Sequence, residues 1–139
     1  AHALRDGWVY TGDAGYFDEE GYIFIVDRVK DMVVSGGENV FTGEVENSLI
    51  SHPAVMDVAV IGIPDEEWGE AVHAIVILRA GAEVSKKELI DHCRDLIAGY
   101  KCPKDITFRL EPLPLTGAGK VLKTELRKPF WVGQERSVH

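Results

Sequence analysis

The chain has 139 residues, with 23 acidic against 15 basic side chains and a net charge of −8. That balance disfavours general nucleic-acid binding, which leans on phosphate neutralisation by Lys and Arg. A 45% hydrophobic and 27% charged content suits a globular domain with a real core, and no apolar run is long enough to span a bilayer. Trp8-Val9-Tyr10 reads as a short strand stopped by Thr11-Gly12-Asp13. Tyr16-Phe17 and Tyr22 to Val26 read as a hairpin around Asp18-Glu19-Glu20-Gly21, with Gly closing the turn. Met32-Val33-Val34 is a further strand, ended by Ser35-Gly36-Gly37. Thr42 is placed to cap a helix whose apolar side is Val45, Leu49 and Ile50, ending at Pro53. The β-branched run Val55 to Ile63 predicts a buried strand and Ala71 to Leu78 a second, joined by a loop over 64–69.

Ser85-Lys86-Lys87-Glu88 matches a capping box and opens a helix with Leu89, Cys93, Leu96 and Ile97 on one face and Gly99 as its C-cap. Ile106, Phe108 and Leu110 alternate as a strand, and Pro112 and Pro114 enforce an extended approach to Thr116-Gly117-Ala118-Gly119. A last helix starts near Lys123 and is cut short by Pro129. The order predicts an α+β fold, a small mixed sheet with helices packed on it, preceded by a hairpin. Composition shifts at Asp27 to Asp31, where apolar strands give way to alternating charges. No basic-then-apolar stretch at the start reads as a signal peptide. Cys93 and Cys102 have no metal spacing, so a reducing cytoplasm is the simpler reading and a bridge between them the alternative.

A few side chains have the chemistry for a site. Asp13, after Thr11-Gly12, could accept hydrogen bonds from vicinal sugar hydroxyls, and turn closure is the plain alternative. Arg28 suits ribose oxygens or phosphate, against a local ion pair with Asp27 or Asp31. Lys120, flanked by Gly119 and near Gly117, could carry a point charge into a narrow site, against a solvated loop lysine. The loop is no P-loop, because Val121 stands where Ser or Thr would bind a metal. His52, His73 and His92 form no ligand spacing, so a metal site is not expected. Ser35 lacks a nucleophile-elbow context and reads as a loop serine.

Taken jointly, Trp8-Val9-Tyr10-Thr11-Gly12-Asp13, the run Asp27 to Val40 and Pro114-Leu115-Thr116-Gly117-Ala118-Gly119-Lys120 resemble the ribose, hinge and catalytic-lysine motifs of adenylate-forming enzymes. The C-terminal part of fatty-acyl-CoA synthetases is the nearest pattern, and the resemblance runs from Gly7 to about Arg127. It implies a fragment of an ATP-dependent ligase, with most of the nucleotide and acyl pockets, and the Mg2+ that accompanies ATP, in a missing N-terminal domain. Residues 1–29 would be the edge of that large domain, 30–130 the mobile domain and 131–139 a tail. By the same resemblance, Lys120 is catalytic in adenylation, Asp13, Ile25 and Arg28 bind the nucleotide, and Lys30 is the hinge. Ser35, Gly36 and Gly37 would line the path of CoA, and Trp68 and Tyr100 could stack on its adenine. Cys102 departs from an arginine that some relatives place there for a CoA phosphate, with Lys101 or Lys104 as candidates to compensate.

The resemblance further implies a cytoplasmic enzyme, peripheral at membranes at most, and an isolated chain that catalyses nothing. Strands cut from their parent would favour a homodimer or a hairpin swap. Within the superfamily the alternatives are an aryl-CoA ligase and an amino-acid-activating module. Outside it stands a non-catalytic interaction domain, in which Lys120 would be dispensable.

Overall fold

The computed structural model describes residues 4–9 and 11–134, and for strand residues 4, 5, 8, 9, 14–16 and 24–27 it describes the backbone. The first ladder pairs β1 (Leu4–Arg5) with β2 (Trp8–Val9), and Tyr10, expected in the same strand, lies outside the described residues. β3 (Asp13–Phe17) and β4 (Ile23–Arg28) form the expected hairpin, with Asp13 opposite Arg28. Its turn is tied by Asp18, whose Oδ1 accepts from the amides of Glu20 and Tyr22 at 2.9 Å. Such side-chain closure is why Asp recurs in turns.

The body follows in the order β5 (Val33–Ser35), β6 (Glu38–Val40), α1 (Thr42–Ile50), β7 (Val55–Asp65), β8 (Gly69–Leu78), α2 (Lys86–Arg94), a 3-10 turn at Gly99–Lys101, β9 (Asp105–Phe108) and α3 (Lys123–Arg127). The sheet runs β6-β5-β8-β7, and β9 also pairs with β8. The β8–β9 pairing is parallel and the others antiparallel, so the sheet is mixed as the sequence predicts.

The long apolar runs of β7 and β8 are buried on both faces. Their alternation splits them between two cores. Val58, Val60, Val72, Ala74 and Val76 meet α1 and α2 through Val45, Leu49, Leu89 and Cys93. Ala59, Ile61, Ile75 and Ile77 face the other way, toward Leu126 of α3, Leu113 and Phe130. Each fully buried aliphatic side chain contributes about 1.5–3 kcal/mol, so the β7–β8 pair is the stable centre on which the flanking loops stand.

Several local expectations are corrected. Thr42 is the first residue of α1 and not its cap; the N-cap is Phe41, with no side-chain capping bond. The Thr42 hydroxyl is engaged instead by Lys123 Nζ at 2.9 Å. The predicted 64–69 loop shrinks to Glu66-Glu67-Trp68, because β7 extends to Asp65 and β8 begins at Gly69. α2 does open on the Ser85 cap, whose Oγ accepts from Glu88 N, but it ends at Arg94 with Asp95 as C-cap, and Gly99 starts the 3-10 turn. Ile50 and Leu96 are exposed rather than core, and Leu110, 98% exposed, lies past the end of β9.

Candidate functional site

Lys120 sits on a small β-hairpin and not on a loose loop. Leu115 bridges Val121, and Thr116 N–H donates to Lys120 O at 2.6 Å. Gly119 N–H donates back to Thr116 O at 2.9 Å and Lys120 N–H to Thr116 Oγ1 at 3.2 Å. Gly119 holds φ +82°, the left-handed conformation that a three-residue hairpin loop requires at this position. The glycines therefore build a turn that presents Lys120 at an exposed tip.

That tip opens on a cleft of about 220 Å³ lined by Arg28, Lys30, Asp31, Lys120, Lys123 and Arg127, among others. In a chain of net charge −8, these five cations outnumber Asp31 and the Glu46 and Asp13 carboxylates paired to Lys123 and Arg28, which leaves a locally positive field suited to an anion. Arg127 and Lys123 are fastened to carboxylates at the cleft wall, and Arg28 is paired as well. Arg127 Nη1 pairs with Asp31 Oδ1 at 3.2 Å, and Lys123 Nζ lies 3.4 Å from Glu46 Oε2. Both pairs keep little exposure, 10–15% for the first and 10–24% for the second, so they are braces of the cleft wall more than ligands.

Asp13 and Arg28, predicted to serve one nucleotide, stand opposite each other in the β3–β4 ladder and form an ion pair at 3.2 Å. Arg28 thus has a carboxylate partner across the strand in Asp13, besides the neighbouring Asp27 and Asp31 weighed from sequence. Such a cross-strand pair holds a carboxylate beside the Arg28 guanidinium that lines the cleft. The backbone of Ile25 pairs with Gly15, and its side chain lies outside the described residues. Lys30 is exposed beside Asp31.

None of the second group of predicted residues lines the cleft; Ser35, Gly36, Gly37 and Trp68 come together elsewhere, and Tyr100 stands on the separate Gly99–Lys101 turn. Ser35-Gly36-Gly37-Glu38 closes β5 to β6 with φ +59° and +82° at the two glycines, the signature of a two-residue hairpin turn with both centres left-handed. The Trp68 turn meets it. Gly36 N–H donates to Trp68 O at 2.9 Å, and Ser35 pairs with Gly69. A Cβ on Gly36 would lie 2.6 Å from the Trp68 ring, so glycine is required there by the indole itself. Asp65 Oδ1 fixes the turn by accepting from Glu67 and Trp68 amides at 2.9 and 2.8 Å. The indole remains 47% exposed, available for stacking.

Tyr100 is 46% exposed on the 3-10 turn, with Lys101 Nζ 5.7 Å from its ring centroid. Lys101 is also held by both Glu44 oxygens at 3.1 and 3.0 Å, which raises its pKa above the usual lysine value. Of the two candidates to replace an arginine at Cys102, Lys101 is therefore committed to α1, and Lys104 is exposed. Cys93 and Cys102 are free thiols, both buried, and burial pushes both pKa values up.

Sequence reasoning missed Glu70, His73 and Lys123. Glu70, near the start of β8, and His73, within it, are buried in an otherwise apolar strand, and a titratable residue inside such a run is the signal that could have found them. Lys123 resembles any lysine at a helix start until Thr42 and Glu46 appear beside it. Among the described residues no group of three or more His, Cys, Asp or Glu side chains could hold a metal ion. No helix among them is long and apolar enough to cross a membrane.

Comparison with known proteins gives this geometry a family. Residues 44–120 match the model of the AMP-binding enzyme C-terminal domain. The chain is 48% identical over 130 residues to a feruloyl-CoA synthase from Amycolatopsis, covering 94% of this chain and 26% of that protein. It is equally, 48%, identical over 128 residues to a long-chain-fatty-acid–CoA ligase of Mycobacterium tuberculosis, covering 92% and 25%. Among solved structures, o-succinylbenzoate CoA synthetase from Bacillus subtilis, in complex with its acyl-adenylate intermediate, superposes with a TM-score of 0.82 at 38% identity over 99% of this chain and 26% of that one. The chain thus spans about a quarter of the length of the relatives it matches. It belongs to the AMP-binding enzyme C-terminal domain family.

Proposed function

We propose that this chain is the mobile C-terminal part of an AMP-forming acyl-CoA ligase, and that its two loop systems serve two half-reactions. In the first, a carboxylate attacks the α-phosphorus of ATP, and pyrophosphate leaves from an acyl-AMP. In the second, the thiol of CoA attacks the acyl carbon, and AMP leaves. The observation that carries the reading is the cleft, where Lys120 meets Arg28 and Lys30 from the other end of the chain.

A lysine at an exposed hairpin tip supplies a point charge to the oxygens that gather negative charge during adenylation. Asp13 and Arg28, side by side, suit the hydroxyls and oxygens of a ribose. Lys30, between the β3–β4 hairpin and the body, is the hinge that separates residues 1–29 from 30–130. Rotation there exchanges the Lys120 tip for the Ser35–Gly37 turn at one reacting carbon. Ser35, Gly36 and Gly37 then border the CoA arm, and Trp68 and Tyr100 face its adenine. The Mg2+ that accompanies ATP belongs, on this reading, mainly to the large N-terminal domain.

The equal identity to a fatty-acid ligase and a feruloyl-CoA synthase supports either a fatty or an aryl acid as substrate. We read the acid as fatty; a pyrophosphate-release screen across carboxylic acids decides it. The test of the central claim is Lys120→Ala in the intact enzyme. It should lower adenylation roughly a hundredfold or more while sparing thioester formation from supplied acyl-AMP. Equal loss of both half-reactions would defeat the role given to Lys120, and full activity would favour a non-catalytic interaction domain.

Lys104 is assigned to a phosphate of CoA, because Lys101 is bound to Glu44. Lys104→Ala should raise the KM for CoA and leave that for dephospho-CoA unchanged. Equal effects on the two thiols would remove the assignment.

A further inference from the structure

The edge where β5 meets β8 is unusually thin. Its register is a single pair, Ser35 opposite Gly69. One residue earlier in β5, the Val34 N–H points to a side chain: it donates to Glu70 Oε2 at 3.0 Å. A carboxylate oxygen thus stands where a ladder carbonyl would otherwise be. Glu70 is 7% exposed near the start of β8, between the exposed Gly69 and the buried Ala71. Burying a carboxyl group there is costly, and an apolar side chain would fill the space without that cost. What an apolar residue cannot do is accept from Val34, and hydrogen bonds to carboxylates are among the stronger ones.

Room for this arrangement is made across the strand pair. A Cβ on Gly62 would lie 2.7 Å from Glu70 Oε1 and 3.2 Å from Val33 Cγ2. Absence of a side chain at 62 therefore lets the carboxyl reach β5. The residue on the other side of Gly69, Trp68, takes the Gly36 amide on its carbonyl and covers Gly36 with its ring. The Ser35-Gly36-Gly37 turn is held at its root by Glu70 and at its tip by Trp68.

We propose that Glu70 is a positioning residue for acyl transfer: its carboxyl fixes the Ser35–Gly37 turn through Val34, and it takes no part in adenylation. The inference rests on the proposed function for the role of that turn. In the intact enzyme, Glu70→Ala should lower kcat/KM for CoA about tenfold, the order expected for losing one such bond. Pyrophosphate release in the first half-reaction should stay within about twofold of wild type. Glu70→Gln keeps an oxygen for Val34 and should restore acyl transfer to within about threefold.

An equal fall in both half-reactions, unchanged CoA dependence in Glu70→Ala, or a Glu70→Gln variant as impaired as the alanine would each overturn the inference. Should Glu70→Ala fail to fold, Glu70→Asp decides. Its carboxyl is drawn back from Val34, so acyl transfer should fall while adenylation holds, and parity with Glu70→Gln would sink the idea. Wild-type enzyme that forms no acyl-CoA from any acid would overturn the functional reading itself, a result distinct from any difference among variants.

Discussion

His73 is the residue whose surroundings most constrain its protonation. It lies in β8 on the α3 side of the sheet, 3% exposed, with its ring 4.8 Å from that of Phe130. Nε2 shares a hydrogen bond of 2.8 Å with Thr107 Oγ1, while Nδ1 is buried without a partner. Burial pushes its pKa below the ordinary 6.5, more than the nearby Asp105 carboxylate raises it, and Lys86 lowers it slightly further. Lys86 and Asp105 are themselves paired at 3.2 Å, which mutes both influences. The folded state therefore holds His73 neutral where the unfolded chain would protonate it. Stability is complete above the unfolded pKa and declines as pH falls from there toward the lower, folded pKa. Urea unfolding between pH 7.5 and 5, taken as a set of conditions spanning the unfolded value of about 6.5, should show that decline, and His73→Gln should flatten it. Asp91 and Asp105, whose pKa values are lowered, lose their contribution in a more acidic range and do not confuse the reading. An unchanged slope in His73→Gln would mean that other groups set the dependence.

At the scale of elements, α3 poses the sharpest question, because five residues cannot sustain a helix alone. It is held by Leu126 in the second core, by Arg127 on Asp31, and by the chain beyond it, where Trp131 Nε1 donates to Gly62 O at 2.9 Å. The Asp31 pair is the one that links α3, just after the Lys120 hairpin, to the residue following Lys30. Arg127→Ala should cost about 2–4 kcal/mol, because it strands a carboxylate that is 15% exposed. Adding Asp31→Asn should cost little more, and a double-mutant cycle in urea would show the coupling; additive losses would mean the two act apart. The same element shows what sequence can and cannot reveal. β7, β8 and the Ser85 cap were legible because a β-branched run and a capping box are local signals. Their division between two cores was implicit in the alternation. The Thr42 cap failed because its hydroxyl is claimed by Lys123, a contact that no local pattern contains. β6 was missed because Glu38-Asn39-Val40 has little strand character, and its partner β5 and the glycine turn create it. At the candidate site, the roles proposed for Asp13, Arg28 and Lys120 come from a motif set, whereas the Asp13–Arg28 pairing and the Val34–Glu70 hydrogen bond depend on register, which a side-chain pattern does not specify.

For the whole molecule, the distribution of apolar surface is uneven, and this bears on how the chain behaves by itself. The body is closed around β7 and β8 by helices on both faces. The β3–β4 hairpin is a separate two-stranded sheet, and its tip exposes Phe17 at 72%, Tyr22 at 65% and Ile23 at 62%. Phe17 and Ile23 are register partners, so these side chains form one patch next to open strand edges. An isolated two-stranded ribbon is marginal in water, and apolar ribbon edges recruit further strands. In the proposed function the rest of the ligase covers this patch, and in the isolated chain a second copy is the surface on hand to do so. We therefore expect concentration-dependent dimerisation by sedimentation velocity at roughly 0.1 mM. Substituting both Phe17→Lys and Ile23→Lys should return the chain to a monomer without changing the unfolding of the body, whose cores contain neither residue. A wild-type monomer at that concentration would defeat the idea. So would a dimer that survives the double substitution, which would place the contact on the body instead of the hairpin.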